Sequence, residues 1–289
     1  MIPNVARTLW HHLETVNAVA YFTAECRQAP VDLGLKGFWM GYVASRAAPM
    51  GPVSAGVIEA TFFNFHPDRI RRAVPDAWVL ASPDDIIQAR TAAAATALRR
   101  LLGDASATQL AQQVIPILSD AIERADGAGR PLFAANRDLP SRGRSVEALW
   151  QAATTMREHR GDGHVALLTG AGLDGCEVLV LACGDRTVGP ELFEGRGWSP
   201  EEWQAAIERL ASRGLVTGGG EFTAAGRELR DDIERRTDEL AARPFEMVEE
   251  EVIEGLTIVL EPAARRIAAS GEINYPNPMG LPSVLDEVP

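Results

Sequence analysis

Two histidines flank a short polar run, HRGDGH, at residues 159–164. Neutral imidazoles at His159 and His164, with the Asp162 carboxylate between them, are residue types that exchange protons near neutral pH and ligate metals. Three readings of the run stand side by side. In a catalytic one, His159 or His164 carries a proton and Asp162 orients it; in a second, the run contacts a bound ligand. In the third it is a turn with surface histidines, where Gly161 and Gly163 supply left-handed backbone and Asp162 caps the next helix. HxxxxH is no recognised metal spacing, and HExxH, GxSxG, a Walker loop and a dinucleotide fingerprint are all absent. No metal and no cofactor is therefore expected.

A second group lies near the N-terminus, where ten of the eighteen aromatic residues fall within the first 78 positions. In GFWMGYVASR, Trp39, Tyr42 and Arg46 are spaced by three and four, so a helix puts them on one face with the charge at its end. With Tyr21 nearby, such a face suits a flat ligand bearing an anionic group, the guanidinium pairing with the anion while rings cover the apolar part. The plainer alternative is a core stripe, with Arg46 reaching solvent or pairing with a carboxylate.

The elements that must position these groups read as helical. SPEE at 199–202 is a capping box with proline at the first helical position, followed by Trp203, Ile207 and Leu210 on one face. SPDD at 82–85 opens another helix. The run 159–164 is expected to join two helices, and the apolar stretch Val165 to Ala182 to form one buried helix with Cys176 and Cys183 on a shared face. Strand character is confined to 214–227, where short apolar pieces surround a triple glycine as a small hairpin requires.

The chain also repeats itself. Gly34, Leu35 and Gly37 correspond to Gly172, Leu173 and Gly175 at a separation of 138. The register holds for Gly51 and Pro52, Val114 and Ile115, Leu118 and Glu123, which match Gly189 and Pro190, Val252 and Ile253, Leu256 and Glu261. Leu9, Trp10 and Thr15 match Leu149, Trp150 and Thr155 at 140. A tandem duplication is expected, with repeats at 4–128 and 143–270, a Gly/Pro/Arg-rich linker at 129–142, and a proline-rich tail at 271–289 that is disordered or laid over the surface.

From Gly172 to Arg227 the order is helix, short helix, capped helix ending at Gly214, Leu215 and Val216, a glycine-rich hairpin, then Phe222, Thr223, Gly226 and Arg227 entering a long helix. This resembles the winged helix of the MarR regulators. With LKGFWMGYVASRAAP and NPMGL, the whole chain further resembles an actinobacterial family labelled SalK-like and described as MarR-related. The resemblance implies a mainly α fold: a tandem-duplicated winged helix-turn-helix with a small β wing. MarR proteins pair as dimers, place two recognition helices in successive major grooves and bind small aromatic molecules near the interface. A duplication would fuse that dimer into a monomeric pseudo-dimer, holding a ligand between its halves.

DNA is a weaker expectation. A recognition helix meets phosphates and base edges through basic and amide side chains, but SPEEWQAAIERLASRG offers Glu201, Glu202 and Glu208, with Arg209 and Arg213 only late. The TGGGE wing carries no basic residue. The first half supplies Arg69, Arg71 and Arg72 with no hairpin behind them. The net charge of -12 repels a phosphate backbone unless a local patch overrides it. Two readers on one face, about 34 Å apart, are what operator binding would require. Three cysteines without a CxxC pair, and an N-terminus without a basic-then-apolar leader, point to the cytoplasm. No membrane span is expected, since Asp174 and Glu177 interrupt the longest apolar stretch.

Overall fold

The computed structural model describes residues 3–140 and 142–286, with side chains from Ala6 onward. Ser141 of the expected linker and residues 287–289 of the expected tail lie outside the described residues. Fourteen α-helices follow in chain order among those residues. They are α1 (Pro3–Phe22), α2 (Ala24–Asp32), α3 (Gly37–Ala47), α4 (Ala55–Phe62), α5 (Pro67–Arg71), α6 (Asp76–Leu80) and α7 (Pro83–Leu102). The remainder are α8 (Asp104–Arg124), α9 (Pro131–Arg137), α10 (Val146–Gly170), α11 (Glu177–Ala182), α12 (Pro200–Ser212), α13 (Ala224–Ala242) and α14 (Glu250–Ala269).

The long helices form a central bundle. Leu9 and Val16 of α1, Leu98 of α7, Val114 and Leu118 of α8, Leu149 and Trp150 of α10, and Leu256 and Leu260 of α14 share one buried core. α1 and α10 pack on each other, and each also lies against long helices from the other side of the chain: α1 on α13 and α14, α10 on α7 and α8. Two smaller cores flank the bundle. A first head is built from α3–α6 around Val43, Ile58, Phe62 and Ile70, and a second from α11 and α12 around Val180, Leu181, Ile207 and Leu210.

Both sequence-read caps form. Ser199 Oγ accepts from the Glu202 N–H at 3.2 Å while Glu202 Oε2 accepts from the Ser199 N–H at 2.8 Å. Ser82 Oγ accepts from the Asp85 N–H at 3.1 Å.

Several local expectations are corrected. The run 159–164 is no turn: it sits inside α10, a helix of 25 residues. The stretch 165–182 is two helices, because Gly172 turns left-handed at φ 65° and the Asp174 carboxylate accepts from the Cys176 and Glu177 N–H groups at 2.9 and 2.8 Å, starting α11 afresh. Cys176 and Cys183 consequently cap α11 at its two ends, the first buried and the second partly so. The hairpin reduces to an isolated antiparallel bridge between Val216 and Phe222, with no strand among the described residues. The bridge extends no further because Thr223, the next residue, already caps α13; the Phe222 N–H faces away from Val216 and donates to Gly184 O at 2.8 Å. The segment expected as a linker holds α9, with Leu132 and Phe133 fully buried, and the described part of the tail lies against the body through Ile273, Leu281 and Val284, the second of its two expected alternatives.

Candidate functional site

The first half and α10 enclose a cavity of about 530 Å³, within the usual range of about 300–1,000 Å³ for small-molecule sites. Tyr21 of α1, Tyr42 and Arg46 of α3, and Trp150 of α10 line it, and it opens beside the half-exposed Val31 and Phe38. Helical spacing thus delivers Tyr42 and Arg46 as expected, and the tertiary fold brings Tyr21 of α1 to within 5.5 Å of Tyr42, ring to ring. Trp39 is left out. It stands edge-on to Tyr42 and Phe65 under the Arg69 guanidinium, facing the second head, where a Cβ on Gly195 would lie 2.5 Å from its ring.

Arg46 forms a two-pronged ion pair with Glu158, both bonds at 3.0 Å. Arg157 donates to the same carboxylate at 2.7 Å and to Glu14 at 3.3 Å. Burial alone would raise the Glu158 carboxyl, yet Arg157 and Arg46 outweigh it and hold the pKa at about 2. The Tyr42 phenol is likewise pushed up by burial but drawn down on balance by Arg46, Arg196 and Arg157. The paired-carboxylate alternative for Arg46 is therefore realised alongside its place on the cavity wall.

Sequence reasoning missed two polar groups. Arg90 of α7 is 8% exposed, donates to Ser45 O at 2.5 Å, Asn136 Oδ1 at 3.1 Å and Gln151 Oε1 at 3.3 Å, and has no carboxylate partner among the described residues. Its Nε has no hydrogen-bond partner, and burial draws its pKa down to about 10. Asn17, fully buried and also lining the cavity, accepts from Thr154 Oγ1 at 2.9 Å but leaves its amide nitrogen unpartnered. A signal existed for the first: Arg90 follows Ile86 and Ile87 at helical spacing and precedes Ala94, an arginine within an apolar stripe.

The expected acid–base group separates. Asp162 caps a helix, though it is α9 and not the following one: its Oδ2 accepts from the Phe133 N–H at 2.9 Å, and burial raises its pKa to about 6. His159 packs edge-on to Phe133 at 4.9 Å and is driven to about 3 by burial and by Arg130, which donates to the His159 carbonyl. Two glycines cost a helix about 1 kcal/mol each relative to alanine, but Gly163 makes room for the Arg130 guanidinium, since a Cβ there would sit 2.6 Å from Arg130 Nη1. His164 points elsewhere, bonding Thr237 Oγ1 at 2.9 Å, with burial lowering its pKa to about 4. Five residues along a helix turn through about 500°, so the two imidazoles face different neighbours.

Of the arginines expected to meet DNA, four are engaged within the protein. Arg209 binds Asp174 at 2.5 Å and Glu177 at 3.1 Å, and Arg213 donates to the Gly172 and Ala171 carbonyls at 2.9 Å each. Arg71 pairs with Glu59 at 2.9 Å, Arg69 lies over Trp39, and Arg72 is exposed. The two heads touch. His66 N donates to Arg196 O at 2.9 Å, Trp198 Nε1 to Asn64 O at 3.0 Å, and His66 Nε2 lies 3.0 Å from Glu202. Gly175 permits the approach, since a Cβ there would fall 2.3 Å from Phe63 O.

The helical body thus carries two touching heads, one of them with the capped helix α12 followed by a glycine-rich turn. A family model described as helix-turn-helix matches residues 6–274, and the chain belongs to that family. No curated protein and no solved structure matches it. Among the described residues, no helix is long and apolar enough to cross a membrane.

Proposed function

We propose that this helix-turn-helix protein binds a small apolar or aromatic anion in the cavity lined by Tyr21, Tyr42, Arg46 and Arg90. One observation carries the reading: Arg90 is a buried cation with no ion-paired carboxylate among the described residues, it lines a largely apolar cavity, and the unfilled Asn17 amide lines it too. An uncompensated buried charge is costly, and a bound carboxylate supplies both the charge and the acceptors. Arg46 is already neutralised by Glu158 and serves as wall and support. Acid–base catalysis by His159, His164 and Asp162 is not part of the proposal, because His159 and Asp162 are engaged in docking α9.

The scaffold is read as a MarR-related, SalK-like pseudo-dimer produced by duplication of 4–128 and 143–270, working as a monomer in the cytoplasm. The reciprocal packing of α1 with α14 and α10 with α8 supports this reading, since α1 and α10, and likewise α8 and α14, occupy matching places in the sequence repeat. A second reading, a ligand-responsive DNA-binding regulator, is favoured by family membership. The contact between the heads weighs against it.

The test is calorimetric titration of the full chain with 2-naphthoate and with its neutral isostere 2-naphthamide. Naphthoate is expected to bind at least about tenfold more tightly, with the preference abolished in Arg90→Met. Equal binding of the two, or naphthoate affinity unchanged in Arg90→Met, overturns the reading.

A further inference from the structure

A separate cavity of about 240 Å³ lies where the two heads, α10 and the C-terminal tail converge. It is smaller than pockets for drug-sized ligands. Phe63, Leu179, Leu181 and Phe193 give it an apolar side, while Arg157, Arg160, Arg196 and Arg230 give it a cationic one. Pro278, Met279 and Gly280 of the tail close it, held by Asn277, whose side-chain oxygen accepts from the Met279 and Leu281 N–H groups at 3.2 Å each.

The charges do not balance. Arg157 is matched by Glu158 and Glu14, Arg160 by Glu234 and Asp238 at 3.2 and 3.1 Å, and Arg230 by Glu234. Arg196 has no carboxylate partner among the described residues. It is 8% exposed, donates through Nη2 to Pro278 O at 3.0 Å, stacks over Phe65 at 4.2 Å and meets the Tyr42 phenol, while its Nε has no partner. Arg160 Nε, on the same wall, is also unfilled. His164 supplies no compensation, being bonded to Thr237.

We propose that this junction is a second binding site, for a small apolar molecule ending in an oxyanion, carboxylate or phosphoryl, whose charged end pairs with Arg196. Planar guanidinium donors match both oxyanions. The apolar body lies against Phe63, Leu181 and Phe193. Because the walls come from both heads and the tail, the occupant ties the halves together. The site is independent of the Arg90 cavity, although Tyr42 and Arg46 border both.

The probes are hexanoate and hexyl phosphate, titrated separately into the full chain and followed by tryptophan fluorescence. Trp10 lines this cavity with the Arg160 guanidinium 4.1 Å above its ring, and Trp10→Phe identifies its share of the signal. A saturable response is expected from at least one probe, weakened about tenfold or more in Arg196→Met and retained in Arg90→Met. The tighter probe assigns the oxyanion. Gly161→Leu guards against loss of fold in Arg196→Met: Gly161 lines the cavity on α10, and a Cβ there meets nothing nearer than Glu158 Oε2 at 3.7 Å. That variant is expected to keep the helical circular dichroism and melt no lower than the parent, yet lose the response. No saturable response to either probe, or an undiminished one in folded Gly161→Leu or Arg196→Met, overturns the second site. Loss of naphthoate binding alone in Arg90→Met leaves it standing, so the two sites fail separately.

Discussion

His66 Nε2 lies 3.0 Å from Glu202 Oε1, so the helix each half would offer to DNA begins against the other. His66 is the N-cap of α5, five residues long, and Glu202 sits in the first turn of α12, thirteen residues long. At about 1.5 Å per residue these helices span roughly 8 and 20 Å. Touching at their starts, they cannot lie with centres about 34 Å apart in successive major grooves.

The expected outcome in a fluorescence-polarisation assay with DNA from the protein's own operon is weak association. It should vanish as salt rises from 50 to 200 mM and be indifferent to sequence, as non-specific phosphate contact is. Sequence-specific nanomolar binding at physiological salt would establish the regulator reading instead and require the heads to separate.

Glu158 holds together Arg46 and Arg157 at the wall between the cavities. Glu158→Gln leaves buried guanidinium groups short of a counter-charge and is expected to lower unfolding free energy by about 3–5 kcal/mol, measured by urea denaturation. Removing the pair at once, in Arg46→Met/Glu158→Leu, should recover part of that loss. A near-neutral effect of Glu158→Gln would show that the carboxylate is not the keystone of this network.

Stability should fall on mild acidification. His159 and His164 have folded pKa values of about 3 and about 4, below the ordinary 6.5, so the unfolded chain takes up protons that the folded chain refuses. Their contribution is complete above about pH 6.5 and is lost as pH falls toward the folded values. Asp162 runs the opposite way: raised from 3.8 to about 6, it contributes stability at low pH that is lost as pH rises through its folded value. Two groups against one leave a net slope of up to about 1.4 kcal/mol per pH unit between roughly pH 4 and 6. Urea midpoints at pH 8, 6.5 and 5 check the sign, and a double His159→Gln/His164→Gln variant should reverse or flatten the trend.

Much of the local structure was legible from residue order, because capping and helical spacing act over a few residues. Ser82 and Ser199 announced their helices, and Trp39, Tyr42 and Arg46 fell on one helix as their spacing required. The run HRGDGH misled for a physical reason. Its glycines look like turn chemistry in isolation, whereas in the fold Gly163 makes room for Arg130 and Asp162 satisfies the start of α9, contacts made by residues some thirty positions away. The short wing stopped at one bridge for a similar reason, its outer edge meeting a distant segment where the Phe222 N–H pairs with Gly184, just beyond α11.

By itself, the sequence determined a mainly helical protein of net negative charge with an aromatic, arginine-bearing helix near Tyr42. Tertiary structure decided what that face meets. Burial is a property of many distant segments at once, so only the packed chain could set Arg90 and Arg196 apart as cations without carboxylates, bring Tyr21 to Tyr42, and send Trp39 into the contact between the heads. Spacing names the residues that can share a face; the long-range packing of α1, α7 and α10 decides which of those faces enclose a cavity.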